Sequence, residues 1–173
     1  MEDKVILVDE QDNETGLMFK TEAHQKAMLH RAVSVCIFNS AGEWLLQRRS
    51  ATKYHSPGLW TNTSCTHPLP GESNHEAAQR RLTQEMGMQC SIKEVFSFVY
   101  KEKLDRELSE HEFDHVFIGI TDNLPVMNPA EVADYKYISF ARLHADVLEH
   151  PDHYTVWFRK IYEQVQQQFL IQV

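Results

Sequence analysis

GESNHEAAQRRLTQEMG, residues 71–87, encodes a helix together with both of its ends. Ser73 followed three residues later by Glu76 fits a capping box, in which hydroxyl and carboxylate satisfy backbone N–H groups left free by the first turn. Ala78, Leu82 and Met86 recur at helical spacing as one apolar stripe, and Gly87 stands where a left-handed residue ends the helix. Arg81 and Glu85, four apart, share the face beside that stripe. A surface ion pair is one reading of them. The other pairs Arg81 with a phosphate and lets Glu85 hold a magnesium ion.

Outward from this helix the patterns change period. KVILV at 4–8 is a short apolar run before the polar DEQDNETG, and VSVCIF at 33–38 meets WLLQ at 44–47 across NSAG in a hairpin pattern. VFSFVY at 95–100 and FDHVFIGI at 113–120 read as strands around the charged segment KEKLDRELSEHE. Helical patterns follow at 140–149 and 153–169, separated by Pro151. Residues 48–70, with RR, SPG and HPLPG, read as a long loop, and loops of that length in compact domains are usually functional. Strands and helices mix without regular alternation, so the expected class is α+β, in one domain over residues 1–173.

Composition narrows the function classes. The net charge of −8, with Lys and Arg scattered rather than in blocks, offers no footprint for nucleic acid. No apolar stretch approaches the ~18–20 residues that span a bilayer, and the acidic start MEDKVILVDEQD is unlike a signal peptide; a cytoplasmic protein is expected. Cys36, Cys65 and Cys90 lack CxxC spacing and are expected as free thiols. A monomer is the default expectation.

Chemistry concentrates in two further stretches. In TNTSCTHP, residues 61–68, Pro68 disfavours a helical His67, so the segment is expected to run extended with Cys65 and His67 on one side. In Glu110-His111-Glu112, at the start of a strand, two carboxylates fall on one face and repel unless a cation joins them. His24, His30 and His67 could complete a nitrogen and oxygen ligand set, although ten histidines in one chain also leave several for an ordinary surface. Lys20, Arg49 and Lys53 are candidates to join Arg81 at an anion; Tyr100 and Trp157 read equally well as core aromatics.

Taken together, GLWTNTSCTHP at 58–68, GESNHEAAQRRLTQEMG at 71–87, HRAVSVCIFN at 30–39 and EHEFDHVF at 110–117 resemble the type I isopentenyl-diphosphate isomerases, a family with a Nudix-like fold. The resemblance spans about Val5 to Trp157. It implies that Cys65 and Glu112 are catalytic, on opposite faces of isopentenyl diphosphate, with Tyr100 assisting proton transfer. It implies metal ligation by His24, His30, His67, Glu110 and Glu112, and by Glu85 for a second ion on the diphosphate. Lys20, Arg49, Lys53 and Arg81 align with diphosphate contacts, and Trp157 with an aromatic beside a cationic intermediate. Three imidazoles disfavour magnesium or calcium, so manganese or zinc is expected in the histidine site and magnesium on the diphosphate.

Shifting the double bond requires protonation of an unactivated alkene at one end, loss of a proton from the neighbouring carbon, and a tertiary carbocation between. Glu112 is expected to donate and Cys65, as a thiolate, to accept, with Trp157 facing the cation and Trp60 or Tyr100 as further candidates beside it. Two rivals remain at this stage. A Nudix pyrophosphohydrolase would carry RExxEExG, but Arg81 and Gln84 stand where two of the three acidic residues belong. A non-catalytic binding module would tolerate loss of Cys65.

Overall fold

A computed structural model describes residues 2–104 and 106–173. Strand β3 (His30–Phe38) organises it. One edge of β3 pairs in parallel with β8 (Ser109–Ile120) along its whole length, from His30 opposite Glu112 to Phe38 opposite Ile120. The other edge is divided among three antiparallel partners: β1 (Lys4–Val8) at His30, β6 (Ser64–Thr66) at Val33–Val35, and β4 (Trp44–Arg49) at Ile37 and Phe38. The sheet is completed by β2 (Glu14–Phe19) on β1, β5 (Trp60–Thr61) and β9 (Val132–Ile138) on β4, and β7 (Ile92–Lys103) on β8.

Both faces of β3 are covered, which is why it reads as a continuous apolar run. Val33, Val35 and Ile37 meet Ala77, Ala78, Leu82 and Met86 of helix α2 (Asn74–Met86) on one side. Cys36 and Phe38 meet Leu143 of α3 (Phe140–Glu149) and Trp157, Phe158, Ile161 and Phe169 of α4 (Val156–Gln172) on the other. The capping box is present at Ser73 and Glu76, and Gly87 closes α2 at φ 61°. No helix is long and apolar enough to cross a membrane, among the described residues.

Several elements depart from the sequence reading. The stretch 48–70 is not one loop: β5 and β6 lie inside it, too short for any periodicity to show. Strand β2 begins within the polar DEQDNETG, β9 was not expected, and a six-residue helix α1 (Lys20–Gln25) carries His24. Pro151 opens a 3-10 turn (Pro151–His153), which delays the last helix to Val156.

Candidate active site

At the end of the sheet where β3 and β8 begin, a cavity of about 760 Å³ opens between α1, α2, β7, α4 and the segments after β4 and β6. Eleven of the fourteen residues expected at the site line it; His24 and His30 lie fully buried against it, and Trp60 lies outside it.

Strand register assembles its centre. The parallel pairing sets His30 beside Glu112, and the antiparallel pairing of β7 with β8 sets Tyr100 directly opposite the same residue. The Tyr100 hydroxyl donates to Glu112 Oε2 at 2.8 Å. His67, immediately after β6, brings Nε2 within 2.9 Å of Glu112 Oε1 and 3.2 Å of His30 Nε2. His24 Nε2 lies 3.6 Å from Glu110 Oε2. Glu110 and Glu112, two apart on β8, both turn into the cavity, as strand alternation requires.

The donor chemistry fits a metal ion. Single donor atoms of His24, His30, His67 and Glu112 all fall within 4.8 Å of one another. The Nδ1 atoms of His24 and His30 each lie 2.7 Å from a main-chain carbonyl, of Lys20 and Met28, so a proton held there leaves the Nε2 lone pairs facing inward. Burial and the neighbouring His30 lower the His24 pKa, and burial brings His67 down to about 3, keeping both rings neutral as ligands must be. Buried His24 Nε2 and Glu110 Oε2 have no hydrogen-bond partner among the described residues. Burial and the Glu112 charge hold the Glu110 carboxyl well above its usual range, the repulsion that a bound cation would reverse. Against the burial that works to raise it, hydrogen bonds from Glu110, His30 and His67 hold Glu112 well below the ordinary carboxylate range.

Lys20, Arg49, Lys53 and Arg81 line the same cavity. Burial lowers the Lys20 pKa, and Arg81 and Lys53 lower it further, because three positive groups face one space. Arg81 donates to Glu85 Oε1 at 2.6 Å and to Glu131 Oε2 at 2.9 Å, and Lys53 also binds Glu131. Glu85, 3% exposed, is no surface ion-pair member; Gln47 donates to its second oxygen at 2.7 Å. Arg49 is tied to the carbonyls of Ser56 and His55 and lies 5.3 Å from the centre of the Trp157 ring, while the Trp157 indole N–H donates to Asn62 at 3.2 Å.

Cys65 sits on β6 opposite Ser34. Burial pushes its thiol up to about 12; Arg49 and Arg81 pull it down, and Glu85 and Glu112 push it up. These arginines are the cations a thiolate would need, but the balance leaves a neutral thiol facing a Glu112 carboxylate. Trp60 does not line the cavity; Lys136 lies 4.2 Å from its ring centre on another surface.

His55, Gln47, Asn62 and Glu131 escaped the sequence reading. His55, Gln47 and Glu131 reach the site through tertiary convergence, while Asn62 belongs to the quoted TNTSCTHP stretch but was given no role there. His55, brought down to about 2 by burial and then by Arg49, forms a further group of potential metal-binding donors with His24 and Glu110.

A family model described as NUDIX domain matches residues 28–160. The chain is 50% identical to an isopentenyl-diphosphate Delta-isomerase 2 of Aromatoleum aromaticum over 95% of its own length and 87% of that protein's. It is 51% identical to the enzyme of that name from Photorhabdus laumondii, over 93% and 91%. Among solved structures it resembles a Deinococcus radiodurans protein (TM-score 0.71, 22% identity, 85% and 90% of the two chains) and a MutT protein from Methanosarcina mazei (0.67, 21%, 81% and 94%), which supports the fold alone. With a NUDIX match across most of its length and relatives half identical to it, the chain belongs to the NUDIX family and, within it, to the isopentenyl-diphosphate Delta-isomerases.

Proposed function

We propose that this protein interconverts isopentenyl diphosphate and dimethylallyl diphosphate. The observation that carries the reading is one cavity with a thiol and a histidine–carboxylate cluster beside a cationic wall of Lys20, Lys53, Arg49 and Arg81. These cations would hold the diphosphate by charge-assisted hydrogen bonds, and Glu85, whose carboxylate accepts from Gln47, would hold a magnesium ion that offsets its charge. His24, His30, His67, Glu110 and Glu112 would hold manganese or zinc, an ion whose charge would offset the repulsion between the two carboxylates.

The isoprenyl carbons then lie between Cys65 and Glu112. Each turnover adds one proton to the alkene from one side and removes one from C2 on the other, so acid and base exchange states. The thiol–carboxylate pair donates from Cys65 and accepts at Glu112; the thiolate–carboxylic acid pair runs the opposite way. Tyr100 fixes the reacting carboxylate. The Trp157 face not taken by Arg49 stabilises the tertiary cation by about 0.5–2 kcal/mol. Water must be kept from that cation, which it would otherwise trap as an alcohol.

Hydrolysis is the weaker reading. The α2 face on the cavity offers Arg80, Arg81, Gln84 and Glu85, one carboxylate where a metal-cluster hydrolase needs several. Incubation with isopentenyl diphosphate, magnesium and manganese, followed by assay of dimethylallyl diphosphate and of released phosphate, decides between them. Isomer without phosphate is expected; phosphate without isomer would overturn the proposal.

A further inference from the structure

His55 lies in the turn between β4 and β5, buried beside the histidine–carboxylate cluster. Its Nε2 is 3.4 Å from Glu110 Oε1, while the other oxygen of Glu110 faces His24. The Ser56 hydroxyl stands 3.4 Å from His55 Nδ1; donating there, it would leave the ring proton on Nε2, the nitrogen nearer Glu110. Donor atoms of His55 group with those of His24 and Glu110, whereas the convergent set of four consists of His24, His30, His67 and Glu112. His55 therefore touches the centre through its rim.

The same residue reaches the other half of the cavity. Its main-chain carbonyl accepts from Arg49 at 3.1 Å, and its ring meets Trp157 edge-on, with centroids 5.8 Å apart. Imidazole N–H groups that hold the free oxygen of a ligating carboxylate fix its orientation and raise metal affinity.

We propose that His55 is a positioning residue that donates Nε2–H to Glu110 and thereby aims this carboxylate at the metal ion, while its backbone anchors Arg49. The inference rests on the metal-centre reading above. Its chemistry is hydrogen-bond donation to a ligand, so a side chain with an N–H at the same reach replaces it and an isosteric ring without one does not.

The test is calorimetric titration of zinc or manganese into the metal-free full-length chain, as wild type, His55→Phe and His55→Gln. His55→Phe keeps the ring volume against Trp157 and removes the donor; metal affinity should fall about 10- to 100-fold. His55→Gln should recover most of that loss, at unchanged stoichiometry. KM for isopentenyl diphosphate should stay near wild type in both, because the Arg49 contact is to the backbone. Equal affinity in His55→Phe, or a loss in His55→Gln as large as in His55→Phe, would overturn the inference and leave the metal centre standing. Loss of a whole equivalent of metal would make His55 a ligand of a second ion and also overturn it. Failure of the wild type to bind either metal would overturn the metal centre and the inference together.

Discussion

Tyr100 and Glu112 are direct cross-strand partners, and the phenol donates to the carboxylate at 2.8 Å in a buried setting. A hydrogen bond to a charged group is worth about 1.5–3 kcal/mol, and this one acts on an atom proposed to move a proton. Tyr100→Phe should lower kcat about 10- to 100-fold with little change in KM, read by steady-state kinetics. A raised KM at unchanged kcat would place Tyr100 in substrate binding.

Removal of either proton-transfer group should be more severe. Cys65→Ala and Glu112→Gln should each lower kcat by about 10²–10⁴ or more, while calorimetry still shows diphosphate binding, since Lys20, Arg49, Lys53 and Arg81 are untouched. Near-normal turnover in either variant would remove that residue from the mechanism.

Metal removal is expected to act on folding as well as on turnover. An ion bound only by the native state at a hundred times its dissociation constant adds about 2.7 kcal/mol. For a chain of this size that corresponds to a rise in Tm of roughly 5–10 °C. Manganese or zinc added to chelator-treated protein should produce such a rise, and His67→Ala should abolish it. A wild-type Tm indifferent to both metals would contradict the histidine site.

Helix α2 offers a stability comparison independent of chemistry. Ser73→Ala removes the capping hydroxyl that accepts from Glu76 N and should cost about 1 kcal/mol in urea denaturation. Gly87→Ala should cost more, because a Cβ there would stand 2.6 Å from the Val126 carbonyl oxygen at a φ of 61°. The reverse order would show that the loop around Val126 yields easily.

These two ends of α2 are legible in the sequence alone, because capping chemistry is local: Ser73, Glu76 and Gly87 act on atoms within one turn. The paired carboxylates of 110–112 were legible too, through strand alternation. The segment 60–66 was not. Its two- and three-residue strands have no periodicity, and they are held by side chains reaching distant backbone, as when Thr63 donates to the Leu45 carbonyl and accepts from Ile37 N. The short α1 fell below the length at which a helical pattern declares itself. His55 and Glu131 are set by where loops converge, which single-sequence spacing does not encode. The positions proposed for the site came from family resemblance; their convergence on one cavity is a property of the fold.

The hairpin of β1 and β2 meets the body of the sheet at a single register pair, Leu7 opposite His30, and with α1 it keeps a small apolar cluster of its own, Val5, Leu7, Ala23 and Met18. Units with so few buried apolar contacts open without global unfolding. His24 sits on this unit and the other ligands on the body, so an ion held between them is a clamp on local opening. Amide hydrogens of residues 4–25 should therefore exchange faster than those of β3 in metal-free protein and slow selectively when the ion binds.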